Sequence, residues 1–330
     1  MDKIQAPSID AIKALRDTLG LAIYRTPMLR CAALEEIVGA DTEIYAKLEF
    51  LQRTGTFKAR GALSVLSQLD AEQIGKGITA VSAGNHAIAA AYAAHSVGAS
   101  AKVVMIGTAN PCRIAACRAM GGEVVLVDNV HEAFATAEKI QKDEGRYFVH
   151  PFEGPEIATG TGTLGLEIHE QCPDLDAVIV TVGGGGLIGG VSNALKQLRP
   201  DCEVIGVEPE GADSMHRSIA AGAPRDIEAV GTIADSLGAP FALPFSFELC
   251  RNNVDQMAMV SDEQIKNAMG LLFDRMKMAV EPACAASTAA LLGPLREQLQ
   301  GKRVVLLFCG SNIDWQTFEK QANFQGQHAA

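Results

Sequence analysis

The chain has 330 residues, which at about 150 residues per domain points to roughly two domains. Lys plus Arg number 28 against 39 Asp plus Glu, for a net charge of −11, and there is no basic run. Such a chain is a poor partner for nucleic acid or an anionic membrane. Hydrophobic residues make up 48% and charged residues 20%, a globular balance that argues against disorder. In chain order the patterning predicts helices at 8–19 and 31–38, a strand Glu43–Lys47, a helix at 57–69, a strand Gly77–Val81 and a helix at 85–97. There follow a strand Ala101–Ile106, a helix at 111–120, a strand Glu123–Val127 and helices at 130–144 and 160–171. The second half continues with a strand Ala177–Val182, a helix at 186–197, a strand Val204–Val207 and a helix at 212–222. It closes with a strand Gln256–Val260, helices at 261–279 and 283–299, and a strand Arg303–Phe308.

Several of these strands are near-continuous apolar runs, as strands buried on both faces require. The alternation reads as an α/β chain of two doubly wound domains with mostly parallel, twisted sheets. The strands starting at 77, 101 and 123 recur about every 23 residues and suit a small domain at 75–148. Residues 1–74 plus 149–330 would form a larger domain around it. The eight cysteines are scattered, with no Cys-x-x-Cys pair, and read as reduced cytoplasmic thiols. The N-terminus has neither the apolar core of a signal peptide nor an Arg-rich transit pattern. No stretch approaches the roughly 18 apolar residues of a membrane span. The tail from Gln321 reads as frayed.

Glycine is abundant, at 32 residues against 13 prolines, and its placement is informative. The densest run, Gly183-Gly184-Gly185-Gly186-Leu187-Ile188-Gly189-Gly190, lies between a strand and a helix. Backbone N–H groups bare of side chains at the positive end of a helix dipole form a phosphate cradle. A strand-to-helix turn needs one or two glycines, so four favour phosphate. Gly184-x-Gly186-x-x-Gly189, with Glu208 about 20 residues on, also fits a dinucleotide fingerprint, which leaves an NAD-binding reading open. A second match, Gly160-Thr161-Gly162-Thr163-Leu164-Gly165, follows a Pro-containing loop and is weak as a nucleotide motif.

Two further segments bear on the ligand. Lys58 follows Thr54-Gly55-Thr56-Phe57 at a predicted helix start, where the dipole disfavours its charged form, so it is a candidate Schiff-base lysine. Ser82-Ala83-Gly84-Asn85-His86 opens an Ala-rich helix and is suited to cradle a carboxylate, although an ordinary N-cap would need only one of its polar residues.

Thr-Gly-Thr-Phe-Lys-Ala-Arg-Gly-Ala, Ser-Ala-Gly-Asn-His and Gly-Gly-Gly-Gly-Leu, in this order, resemble the fold type II pyridoxal phosphate (PLP) enzymes. Within them the threonine/serine dehydratases and serine racemases are most similar. The resemblance extends to His150-Pro151-Phe152, Val207-Glu208-Pro209, Thr232-Ile233-Ala234-Asp235 and Val280-Glu281-Pro282-Ala283. It implies that Lys58 carries PLP as a Schiff base and takes the substrate Cα proton. It implies that Phe57 lies against the cofactor ring, Asn85 bonds its hydroxyl, and Gly183, Gly184, Gly185, Gly186 and Leu187 hold its phosphate. Glu281 and Cys309 are implied as further cofactor contacts. Cys309 would face the ring nitrogen where relatives usually have Ser. Ser82, Ala83, Gly84, Asn85 and His86 would receive the substrate carboxylate.

Ala83 stands where serine racemases carry an acid/base Ser, which favours elimination over racemisation. The implied reaction is β-elimination from an L-β-hydroxy amino acid, threonine or serine, to a 2-oxo acid and ammonia. A Mg²⁺ or Ca²⁺ site is implied at Glu208, Ala212 and Ser214, with Ser in place of the usual Asp. Homodimers are usual in the family. A regulatory C-terminal domain of the biosynthetic type is not expected. The alternatives are a 3-hydroxyaspartate dehydratase, with Arg113 and His86 holding the second carboxylate, a racemase, and an NAD-binding protein.

Overall fold

The computed structural model describes residues 4–324. Most of the predicted tail from Gln321 therefore lies outside the described residues. Ten strands are present among the described residues: β1 (Met28–Arg30), β2 (Glu43–Leu48), β3 (Ile78–Val81), β4 (Ala101–Ile106), β5 (Gly122–Val127), β6 (Tyr147–Phe148), β7 (Ala177–Thr181), β8 (Glu203–Pro209), β9 (Gln256–Val260) and β10 (Arg303–Phe308). They form a six-stranded sheet of order β1-β2-β10-β7-β8-β9 and a four-stranded sheet of order β5-β4-β3-β6. Every pairing is parallel except β1 with β2. Helices cover both faces of the large sheet, so all five residues of β7 and the last five of β10 are buried.

Eight predicted strands are found within one or two residues of their expected ends. β1 and β6 were not predicted, since three and two residues give no readable alternation. Helices Ala71–Lys76, Pro244–Asn253 and Trp315–Gln321 were also missed. The first is only six residues long, held by a capping box between Asp70 and Gln73. The predicted helix at 160–171 starts earlier, at Pro155, where proline suits the first turn. The predicted helix at 283–299 ends at Leu292, before Gly293.

That early start explains the second glycine motif. A Cβ on Gly160 would strike the Arg60 carbonyl, one on Gly162 would strike Ile12, and one on Gly165 would strike the backbone at Val191. Helix Pro155–Gln171 is thus packed against helices Ile9–Leu19, Lys58–Leu66 and Gly186–Leu198, and its glycines serve close approach. The core of the four-stranded sheet likewise takes in Leu15 and Leu19 from the first helix and Ala62–Leu66 from the third. No helix among the described residues is long and apolar enough to cross a membrane.

Candidate active site

The loops that follow β3, β7 and β10 at their carboxyl ends converge on one cavity, where ligands of open parallel sheets bind. It is lined by Phe57, Lys58, Asn85, Gly183–Gly186, Leu187, Glu281 and Cys309, all expected there from the sequence. Thr181, Phe152, Ser236, Leu237 and Ala283 complete the wall; no role was assigned to them from sequence.

Lys58 opens helix Lys58–Leu66 and is placed by the turn before it. Thr56 pairs with Gly310, and the Phe57 N–H donates to the Cys309 carbonyl at 3.1 Å, tying this turn to the end of β10. The Lys58 Nζ donates to the Pro151 carbonyl at 2.6 Å. Burial pushes the amine down to about 8, against the pull of Cys309 and Glu281. A solvated lysine, near 10.4, holds well under 1% neutral amine at pH 8, whereas Lys58 is about half neutral there. Since only the neutral amine attacks an aldehyde, cofactor-free protein should take up PLP faster as pH rises through about 8. Stopped-flow absorbance between pH 6.5 and 9.5 measures this, and a flat profile contradicts it.

The glycine cradle follows β7. Gly185 has φ 87, a left-handed conformation that favours glycine, and the helix proper starts at Gly186. The first N–H groups of a helix have no intrahelical acceptor and carry its positive dipole end. Side chains are excluded around them. A Cβ on Gly184 would overlap the Phe152 ring, and one on Gly186 the Phe152 carbonyl. The Thr161 hydroxyl donates to the Gly186 carbonyl at 2.8 Å, fixing this first turn from the neighbouring helix.

The Ser82–His86 loop follows β3; of its residues Asn85 lines this cavity and His86 a smaller one beside Lys58, while Ser82, Ala83 and Gly84 line neither. The Gly84 N–H donates to Ser82 Oγ at 3.1 Å. Asn85 starts helix Asn85–Ser96; its Nδ2 donates to Glu281 Oε1 at 2.7 Å and its Oδ1 accepts from Asn312 Nδ2 at 2.9 Å. His86 Nε2 lies 2.8 Å from the Val149 carbonyl, so it carries the proton and donates there. Burial, reinforced by the charge on Lys58, pushes this imidazole down to about 3. His86 is therefore a neutral ring whose only N–H is already engaged. Its backbone N–H, at the helix start, is what it can offer a carboxylate.

Glu281 is fully buried, and burial pushes its carboxyl up to about 7. Its Oε2 has no hydrogen-bond partner. Cys309 Sγ accepts from the Thr181 hydroxyl at 3.6 Å. Cys284, hydrogen-bonded to Cys309, is held well above its usual value by burial. Arg113, from helix Pro111–Ala119, reaches across to pair through both terminal nitrogens with Asp235 and donates from Nε to the Asn312 carbonyl at 3.0 Å. Thus neither Arg113 nor His86 is available to a second substrate carboxylate, contrary to the 3-hydroxyaspartate alternative.

A buried amine, a cradle that any Cβ would fill and an unpartnered carboxyl oxygen in one cavity fit a group with phosphate at one end and an aldehyde at the other. The NAD reading does not survive, because Glu208 is otherwise engaged. Its two oxygens accept the Met215 and His216 N–H groups at 2.9 and 2.7 Å, capping helix Ser214–Ala221. Burial pushes this carboxyl up to about 8. The same finding corrects the metal expectation at Glu208, Ala212 and Ser214. Both Glu208 oxygens are taken, the neighbouring Asp213 pairs with Arg217, and Ser214 adds only a neutral hydroxyl. Among the described residues no group of three His, Cys, Asp or Glu could hold a metal ion. The oxygens suit a hard cation by type, but one buried carboxyl pushed toward its neutral form and one neutral hydroxyl offer a divalent cation little charge.

Known proteins agree with the geometry. The chain is 52% identical over 320 residues to the phenylserine dehydratase of Ralstonia pickettii, covering 97% of this chain and 98% of that protein. It is 39% identical over 317 residues to the L-threonine ammonia-lyase of Thermotoga maritima, covering 96% of this chain and 78% of that one. The solved structure of maize serine racemase superposes with a TM-score of 0.91 at 32% identity, over 96% of this chain and 97% of that one. Residues 19–310 match the family described as "Pyridoxal-phosphate dependent enzyme", and the chain belongs to that family.

Proposed function

We propose that the protein is a PLP-dependent ammonia-lyase that converts a neutral L-β-hydroxy amino acid, of the threonine and serine class, to a 2-oxo acid and ammonia. The observation that carries this reading is the placement of Lys58, the Gly183–Gly186 cradle and Asn85, from the Ser82–His86 loop, around one cavity. When bound, PLP supplies an electron sink for charge developing at the substrate Cα. Gly183–Gly186 and Leu187 would hold its phosphate through backbone N–H groups, Phe57 would flank its ring, and Asn85 would serve its hydroxyl. Cys309 would offer its ring nitrogen a thiol instead of a fixed anion, which would moderate that sink and suit loss of a β-leaving group. N–H groups of the Ser82–His86 loop orient the substrate carboxylate. Lys58 would accept the Cα proton, an equivalent proton would go to the β-hydroxyl so that it leaves as water, and hydrolysis of the released enamine by water would give the 2-oxo acid and ammonia.

A second reading has an aryl β-substituent. It rests on the 52% identity to a phenylserine dehydratase and on Phe57, Phe152, Leu187 and Leu237 in the cavity wall. One experiment tests both. Release of 2-oxo acid is measured with serine, threonine, phenylserine and both 3-hydroxyaspartate diastereomers. Product from the neutral substrates supports the proposal, and absence of product from all of them sinks it.

Ala83 gives no group to return a proton to the face opposite Lys58. Ala83→Ser should therefore raise the racemisation of L-serine by at least about 10-fold, measured by chiral chromatography. An unchanged rate would mean that position 83 does not set the outcome. The same reading carries a homodimeric cytoplasmic enzyme of amino-acid breakdown. It also carries a small domain at 75–148, which holds the four-stranded sheet, within a larger one of 1–74 plus 149–330.

A further inference from the structure

Arg113 is a cation that stands close to the Ser82–His86 loop without belonging to it. A Cβ built on Gly84, at the centre of that loop, would lie 3.3 Å from its Nη1. Its Nη2 is 3.9 Å from the Glu281 oxygen that has no hydrogen-bond partner. The guanidinium therefore lies within about 4 Å of both the loop and Glu281 of the cavity wall, although Arg113 is not itself a lining residue. Its side chain is only 8% exposed, whereas that of its partner Asp235 is 61% exposed. Asp235 precedes Ser236 and Leu237, which line the cavity. A planar guanidinium forks onto one carboxylate at a time with both terminal nitrogens. While Asp235 occupies that fork, a carboxylate on the substrate cannot.

We propose that Asp235 is a specificity-determining residue, which restricts the site to neutral β-substituents by occupying the Arg113 fork that would otherwise bind a second substrate carboxylate. The consequence is a latent acidic-substrate site, of the 3-hydroxyaspartate class, masked by one side chain. It rests on the lyase reading only for its catalytic consequence, since the masking itself is a matter of anion binding. Glu281 does not replace the mask. Its nearer oxygen stays 3.9 Å from Arg113, and its carboxyl is buried and pushed toward the neutral form.

The test uses the PLP-loaded enzyme and two readouts. Malonate binding is measured by calorimetry, with acetate as the single-carboxylate reference. The ratio of kcat/KM for 3-hydroxyaspartate to that for threonine is measured in parallel. Asp235→Asn should tighten malonate relative to acetate by about ten-fold or more, and raise the kcat/KM ratio similarly, as a charge-assisted pair becomes available. Asp235→Glu should keep the wild-type discrimination, and adding Arg113→Met to Asp235→Asn should remove the gain. Should Asp235→Asn not fold, Asp235→Ser takes its place. The proposal is overturned if the unmasked variant stays within about two-fold of wild type for malonate, or if its gain survives loss of Arg113. If the wild type releases no 2-oxo acid from any neutral substrate, the lyase reading fails, while the malonate titration still decides the role of Asp235.

Discussion

Lys58→Ala abolishes 2-oxo-acid release, with an expected loss of at least about 10³-fold. The reason is that two roles fall on one nitrogen. On the proposed function the amine is the covalent anchor for the cofactor aldehyde and then the base at the substrate Cα. Its neighbours offer no replacement. The His86 ring is neutral, with its N–H held by the Val149 carbonyl. His150 is also pushed down, to about 4, by burial and by Lys58, and its Nδ1 accepts the N–H groups of Phe152 and Glu153. Two measurements separate the roles. Borohydride reduction followed by peptide mapping should label Lys58 in the wild type and nothing in the variant. Gel filtration should show that the variant still retains PLP non-covalently, because the glycine cradle is untouched. Normal turnover in Lys58→Ala would remove the basis of the mechanism.

The second large effect is on stability. Arg60, two residues after Lys58, is fully buried between two carboxylates. It donates to Glu49 from Nε and Nη2, both at 2.8 Å, and to Glu167 from Nη1 and Nη2 at 2.7 and 3.0 Å. Lys47, also buried, closes the set onto Glu167 at 2.6 Å. Two cations meet two anions with their donors satisfied, so the cluster is neutral as a whole. Arg60→Met leaves two buried carboxylates with a single cation, and should cost about 3–5 kcal/mol in urea unfolding. A loss below about 1 kcal/mol would show that the carboxylates simply protonate. Arg60→Lys should recover only part of the loss, because an ammonium cannot fork onto both partners. The pH dependence has a definite sign. Burial alone would raise the Glu49 carboxyl, but Arg60, Lys47 and Thr26 together outweigh it and the net shift is downward. A carboxyl lowered in the folded state contributes stability above its unfolded value of about 4.3, and that contribution is lost as pH falls through the folded value.

Much of this was legible in the sequence because it is local. Long apolar runs such as Ala177–Thr181 and Arg303–Phe308 announce central parallel strands. A four-glycine run between a strand and a helix allows few uses besides a backbone cradle. What was not legible depends on which distant segments meet. Phe152 closes under Gly184 and Gly186 from more than thirty residues away. Arg113 meets Asp235 across 122 positions, which no periodicity encodes. The bonding of the Glu208 carboxyl and the His86 ring was hidden for the same reason. Residue type and motif position suggested a ligand in each case, but the hydrogen-bonding capacity was already taken by Met215 and His216 or by Val149. The Gly160–Gly165 motif was ambiguous because nucleotide turns and tightly crossed helices ask for the same residue.

The stripe of glycines on helix Pro155–Gln171 acts as a gauge block. Gly160 rests on the backbone that carries Lys58, and Gly165 rests on the helix whose first turn forms the cradle. The spacing between the helix that starts at Lys58 and the helix whose first turn holds the glycine run is therefore set largely by main chain against main chain. The enzyme gauges that spacing in backbone units, and changes in the substrate-facing loops leave that measurement unaltered.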